Sequence, residues 1–215
     1  MLTVLNTTPS IINSYLRELR DVEIQKDKQR FEHNLESLGM IAGYELSKRL
    51  NYADHATATP LGTANTPLPT DRLVLSTVLR AGLPVHHGIH KILPGAEPAF
   101  IAAGRRPDTS EGVKINLAYV AGPDLTGKVL IIADTMLATG HTFVEAYHAL
   151  IEGHGKPSRV FVVAVIASEA GITYVRDNIP QCEMIICAVD PELNDDYFIV
   201  PGLGDAGDLL YGEKL

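Results

Sequence analysis

Val129-Leu130-Ile131-Ile132 is an apolar run short enough for a buried strand and too short for a buried helix. Two residues later comes a carboxylate, Asp134, and then the small and hydroxyl-bearing run Ala138-Thr139-Gly140-His141-Thr142. After it, Phe143, Ala146, Tyr147 and Leu150 recur at helical spacing. Strand, acidic turn, small-residue loop and helix start, in that order, constrain the chain more than any other stretch. They place a helix N-terminus, with its free N–H groups and positive dipole end, beside a carboxylate at a strand end. Such an amino end suits a phosphate. A carboxylate accepts hydrogen bonds in pairs and so suits the hydroxyls of a ribose. The pair together points to a phosphorylated sugar, although many α/β proteins carry a Gly-containing turn after a buried strand.

The segments around this stretch repeat its rhythm. Strands are expected at Leu73–Leu79, Ala99–Ala103, Val129–Ala133, Arg159–Ala167 and Met184–Val189, with helices at Pro84–Leu93, Thr142–Glu152 and Glu169–Asp177 between them. That alternation predicts an α/β fold with a mostly parallel central sheet flanked by helices. Ligands of such sheets bind beyond the carboxyl ends of the strands. Ahead of the sheet, Thr8-Pro9 reads as a cap followed by Pro at the first helical position, with Ile12, Tyr15, Leu16 and Leu19 on one face. A longer helix is expected over Gln25–Leu50, its stripe Phe31, Leu35, Leu38, Ala42 and Leu46 interrupted by Gly39 and Gly43. Those glycines mark either a bend or sites of close packing. Asn51–Thr70, rich in Pro and Thr, reads as a loop or β-arm. The polar stretch 108–116 reads as a mobile loop.

Composition narrows the classes. With 215 residues, 46% of them hydrophobic and 20% charged, the expectation is one globular domain, 1–215. Within it, 1–70 would be N-terminal helices and arm, 71–190 the core sheet and 191–215 a ligand-binding segment. A net charge of −8 argues against nucleic acid as a partner. No apolar run approaches the ~20 residues of a membrane span, and Met1–Ser10 lacks a signal-peptide pattern, so neither membrane nor export is expected and the reading is cytoplasmic. Cys182 and Cys187 stand without a His or Cys cluster and imply neither disulfide nor metal.

Two further polar clusters follow predicted strands. Arg80-Ala81-Gly82 offers a forked donor beside backbone that can be approached closely, which suits a diphosphate. Gly104-Arg105-Arg106 offers two more guanidinium groups. Near the C-terminal end, Val200-Pro201-Gly202-Leu203-Gly204-Asp205-Ala206-Gly207-Asp208 combines three glycines with two carboxylates.

Asp134-x-Met136-Leu137-Ala138-Thr139-Gly140-x-Thr142 resembles the phosphoribosyl diphosphate motif of type I phosphoribosyltransferases, in the form used by the uracil phosphoribosyltransferases. Leu79-Arg80-Ala81-Gly82-Leu83 resembles that family's diphosphate loop, and Pro201–Asp208 resembles its base-binding segment. The resemblance spans about 59–212. It implies the type I fold with a small C-terminal hood, and transfer of a phosphoribosyl group from 5-phosphoribosyl 1-diphosphate (PRPP) to uracil. By the same resemblance, Arg80, Asp134 and Asp205 are the catalytic residues. PRPP would meet Arg80, Arg105, Asp134, Thr135, Met136, Leu137, Ala138, Thr139, Gly140, His141, Thr142 and Asp205. Uracil would meet Ile199, Gly204, Asp205 and Ala206. Mg²⁺ would be held mainly by PRPP itself, with no metal site made of protein side chains alone, and the protein would be a homodimer or higher homo-oligomer. The chain departs from the family pattern at Pro84 and His87, at Gly104 where Tyr is usual, at Thr135 where Pro is usual, and at His141 where Gly is usual; Arg106 is held in reserve for Arg105. A regulatory or catalytically impaired nucleotide-binding protein of the same fold, and a transferase for another base, are the alternatives.

Overall fold

The computed structural model describes residues 1–108, 112–179 and 181–213, and at 104–108 and 112–116 the backbone alone. Seven strands make the central sheet: β1 (Leu2–Val4), β4 (Leu73–Leu79), β5 (Glu97–Asp108), β6 (Gly112–Ala121), β7 (Val129–Leu137), β8 (Arg159–Ser168) and β9 (Glu183–Asp190). Their order is β1-β9-β8-β7-β4-β5-β6, parallel throughout except for β6, which runs antiparallel to β5. The chain is an α/β protein with a mostly parallel sheet.

Alternate strand residues feed two separate cores. Leu75, Ile131, Phe161, Val163 and Ile185 pack with the helices α1 (Ile11–Arg20), α2 (Lys28–Ser47) and α3 (Leu83–Ile92). Val74, Leu130, Ile132, Val162 and Met184 pack with α4 (His141–His154) and α5 (Glu169–Asn178). Because both faces are covered, the strands read as continuous apolar runs instead of alternating ones. Fully burying one such side chain contributes about 1.5–3 kcal/mol.

Gly39 and Gly43 are sites of close packing. A Cβ on Gly39 would sit 2.5 Å from the Val85 carbonyl oxygen, and one on Gly88 would land on the Glu36 carbonyl. The backbones of α2 and α3 therefore meet where neither glycine can be enlarged. α2 begins three residues later than expected, with Asp27 accepting the Arg30 N–H at 3.1 Å as its cap and a 3₁₀ turn at Ile24–Lys26 before it. α1 also begins late, because Ser10 remains extended.

Asn51–Thr70 is a β-arm: β2 (Tyr52–Thr59) and β3 (Gly62–Pro69) form an antiparallel hairpin exposed along its whole length. The stretch expected to be a loop at 108–116 instead carries strand pairing from Asp108↔Gly112 onward, and 109–111 lie outside the described residues. β1 escaped the sequence reading because three residues hold too little pattern; it pairs with β9 from Leu2↔Met184. At the C-terminal end, β10 (Glu192–Leu193) and β11 (Ile199–Val200) pair, and α6 (Ala206–Tyr211) follows.

The strand order reverses between β4 and β7. From β4 the chain crosses through α3 to β5 on one side; from β7 it crosses through α4 to β8 on the other. Open α/β sheets bind ligands at such a point, outside the carboxyl ends of the strands.

Candidate active site

β4 pairs with β7 only as far as Thr77↔Ala133, whereas β7 stays paired to β8 through Leu137↔Ala167. Beyond Ala133 the two strands part, and a cavity of about 200 Å³ opens between them. Its walls come from the end of β4 and its loop (Val78–Ala81), from β7 and the α4 entry (Asp134, Met136, Ala138, Thr142), and from the C-terminal segment (Tyr197–Ile199, Gly204–Gly207), with Ala103 at one side.

The β7 pleat decides which residues of the expected loop face the cavity. Asp134, Met136 and Ala138 line it, while the alternate Thr135 and Leu137 are buried. The Asp134 carboxylate accepts the Thr135 N–H at 2.7 Å. The Thr135 hydroxyl turns the other way and donates to the Ala81 carbonyl at 2.6 Å. Leu137 belongs to the α4–α5 core. Gly140 takes φ +84 as the residue before α4, and a Cβ there would meet the Gly171 carbonyl at 2.8 Å. His141 lies outside the cavity lining and stacks on Tyr174, ring centroids 4.2 Å apart. The imidazole therefore stands clear of the cavity lining. Thr139 and Gly140 shape the loop without lining the cavity, and Thr142 lines it.

Arg80 reaches the opposite wall. One of its terminal nitrogens donates to Asp208 at 3.2 Å and to the Gly212 carbonyl at 3.3 Å, and its guanidinium stands over the Tyr211 ring at 5.7 Å. Its Nε is buried with no hydrogen-bond partner among the described residues, a donor left beside an open cavity. Gly82 sits so tightly against β4 and β7 that a Cβ would meet the Val78 carbonyl at 2.8 Å and the Ala133 carbonyl at 3.0 Å. Arg105, Arg106 and Gly104 lie outside the residues whose side chains are described.

Ile199, Gly204, Asp205 and Ala206 come to the same cavity from far along the chain, well beyond both Arg80 and Asp134. Asp205 caps α6, accepting the N–H groups of Gly207 at 2.8 Å and Asp208 at 3.1 Å through one carboxylate oxygen. Gly202 at φ +58 makes the bend, and a Cβ there would strike the Ile199 carbonyl. Its shape is fixed from behind by Arg20 of α1. That guanidinium donates twice to Asp190, at 2.7 and 2.8 Å, and once to the Gly202 carbonyl at 2.9 Å, while Asp190 accepts the Gly202 N–H at 3.0 Å.

A phosphate-type helix entry, a guanidinium with a spare donor and a backbone-rich glycine segment thus share one cleft. The uracil phosphoribosyltransferase family model matches residues 7–213 of this sequence. The chain belongs to that family. The uracil phosphoribosyltransferase of Porphyromonas gingivalis is 44% identical over 207 residues, covering 96% of this chain and 95% of that protein. A solved structure from Aquifex aeolicus superposes with a TM-score of 0.88 at 28% identity, covering 99% of this chain and 98% of that one. The adenine phosphoribosyltransferase of Trypanosoma brucei, with a TM-score of 0.56 at 11% identity over 95% of this chain and 88% of that one, shares the fold alone. The fold is that of the type I phosphoribosyltransferases.

Within this family member, sequence reasoning overlooked Arg20 and Asp190, which lie outside every motif. The stretch Asn194–Ile199 resembles the family's strand over the base, with Ile199 as its expected contact; Tyr197 and Phe198 stand beside Ile199 in the cavity wall. Asp190 carried a signal: it is a carboxylate ending an apolar strand.

Proposed function

We propose that this protein transfers the phosphoribosyl group of PRPP to N1 of uracil, releasing UMP and diphosphate, through one phosphoribosyltransferase domain spanning 1–215. The observation that carries this reading is the shared cavity, which brings Arg80 and Asp134 together with Ile199, Gly204, Asp205 and Ala206. In this reading Asp134 accepts the ribose hydroxyls. The backbone of Ala138–Thr142, at the positive end of the 14-residue α4, takes the 5′-phosphate. Arg80 takes the diphosphate with its unpartnered Nε, exchanging its bonds to Asp208 and Gly212 for the more highly charged ligand. Arg105 joins it there.

Uracil presents two carbonyls around one N–H, a pattern that backbone N–H and C=O groups can match. The Gly204–Ala206 backbone would read that edge, with Ile199 against the ring. Asp205 serves this arrangement by capping α6 and holding the Ala206 turn in place.

The bond from the sugar C1′ to the diphosphate oxygen breaks as the N1–C1′ bond forms, with positive charge developing on the sugar and the N1 proton passing to water or to the released diphosphate. The protein supplies position and stabilisation of the departing anion and needs no covalent nucleophile. Mg²⁺ suits this site. Among the described residues no group of three His, Cys, Asp or Glu could hold a metal, and the cavity carries the carboxylates Asp134 and Asp205. One or two carboxylates are what Mg²⁺ takes when phosphate oxygens and water complete its shell. When bound it supplies neutralisation of the diphosphate charge. The protein would work in the cytoplasm as a homodimer or higher homo-oligomer; no described helix is long and apolar enough to cross a membrane.

The test is to incubate the protein with PRPP, Mg²⁺ and each nucleobase in turn and to measure diphosphate release. Release with uracil alone is expected. Release only with another base overturns the acceptor, and release with none overturns the transferase reading.

A further inference from the structure

Thr135 is wholly buried, yet it lies between two residues that line the cavity, Asp134 and Met136. Its hydroxyl spans 54 positions of sequence to donate to the Ala81 carbonyl at 2.6 Å. Ala81 itself lines the cavity and is the neighbour of Arg80. The bond therefore joins the strand that bears the ribose carboxylate to the loop that bears the diphosphate guanidinium. These two segments have no sheet pairing between them here, because β4 and β7 part after Thr77↔Ala133. The last contact before the gap is made the same way, by the Thr77 hydroxyl donating to the Ala133 carbonyl at 3.0 Å. Thr135 thus supplies a side chain that closes the gap.

We infer that Thr135 is a positioning residue for the diphosphate half of the site, its hydroxyl fixing the Arg80–Gly82 loop at a set distance from Asp134. The inference rests on the donor-site reading above and goes beyond it, since Thr135 is buried and lies outside the cavity lining. PRPP carries its ribose hydroxyls and its diphosphate on one sugar ring, a few bonds apart. A fixed spacing between the two protein segments therefore acts on donor and diphosphate binding and leaves the base side, held by Arg20 and Asp190, unchanged. The Ala81 carbonyl also has a structural stake, because a partly buried acceptor that loses its donor must find water instead.

Thr135→Val keeps the shape and removes the hydroxyl; Thr135→Ser keeps the hydroxyl. Titration calorimetry with Mg-diphosphate, and initial rates with PRPP and uracil varied in turn, read the effect. In Thr135→Val the affinity for Mg-diphosphate and the KM for PRPP each worsen by on the order of 10-fold, the weight of one hydrogen bond. The KM for uracil holds within about 2-fold, and Thr135→Ser stays within about 3-fold of wild type throughout. Should the Val protein not fold, Thr135→Ala carries the same expectation. Unchanged diphosphate affinity in the hydroxyl-free variants overturns the inference. So does a loss in Thr135→Ser equal to that in Thr135→Val, or a uracil KM that rises in step. Wild-type protein that binds diphosphate in a Thr135-dependent way but transfers nothing sinks the transferase reading and leaves the positioning role standing. Wild-type protein that binds no diphosphate sinks the positioning role.

Discussion

Arg20 and Asp190 form a two-bonded ion pair, 2.7 and 2.8 Å, that also holds both backbone polar groups of Gly202. The pair joins the first long helix to the end of β9 and, through Gly202, to the segment that closes the cavity. The Asp190 side chain is only 7% exposed, so removing its partner leaves a buried charge. Arg20→Met is expected to cost about 3 kcal/mol of stability, the low end for a buried pair because Arg20 is partly in water. With the loop loosened, the KM for uracil should rise on the order of 10-fold or more while that for PRPP holds. Denaturant unfolding and two-substrate kinetics check both halves; a PRPP effect as large as the uracil effect would refute the assignment to the base side.

Asp134→Asn should lower kcat/KM for PRPP by at least about 100-fold, since two hydrogen bonds to a charged acceptor are weakened together. The fold should survive, because the side chain lies at the cavity wall. Wild-type kinetics in this variant would remove the ribose role.

Much of this architecture was legible in the sequence for a physical reason. Val129–Ala133 is sandwiched between helices, so its whole run is apolar, and a carboxylate after such a run stands out. The same logic located β4, β8 and β9. What failed was the strand's end. Asp134 reads as a stop, yet β7 continues to Leu137, and the pleat then sorts Asp134, Met136 and Ala138 from Thr135 and Leu137. A motif read as a string gives every residue the same role; a strand read with period two does not. Arg20 and the Thr135–Ala81 bond were not legible, because each depends on a pairing between distant segments and leaves no local pattern. Gly39 and Gly43 were ambiguous for the same cause, since the helix that packs against them is not in their own sequence window.

Gly171 tests the support beneath the phosphate loop. A Cβ there would land on the Ala138 carbonyl and come within 2.5 Å of the Leu137 side chain. Gly171→Ala must push α5 off the loop or deform it, at about 1–3 kcal/mol. The KM for PRPP should rise with it. A variant as stable and as active as wild type would show that α5 does not brace the loop.

His141 is expected to be nearly silent in donor binding. Its ring stacks on Tyr174 and lies outside the cavity lining. His141→Ala should move the KM for PRPP by less than about 3-fold while lowering stability by about 1 kcal/mol, the value of an aromatic pair. A large rise in that KM, with a steeper pH dependence in wild type than in the variant, would instead put the imidazole on the phosphate.

His86 sets a pH limit on the fold. It is 4% exposed on α3, with its ring 5.3 Å from Phe100 and 6.1 Å from both His87 and His90. Its Nδ1 has no partner among the described residues. Burial, then the neighbouring His87 and His90, pushes its pKa down from the ordinary 6.5 to about 4. A folded value below the unfolded one means that the unfolded chain takes up the proton first as pH falls. The stabilisation is complete above about pH 6.5 and is lost on the way down to about pH 4. Integrated from about pH 7.5 to about pH 5, the loss from this one residue is about 2 kcal/mol. Chemical unfolding at the two pH values measures it, and other groups contribute equally to a His86→Leu variant, so the difference between the two slopes isolates His86. The variant should lose about 2 kcal/mol less than wild type over that interval. Parallel slopes would mean that His86 is not buried as a neutral ring against Phe100.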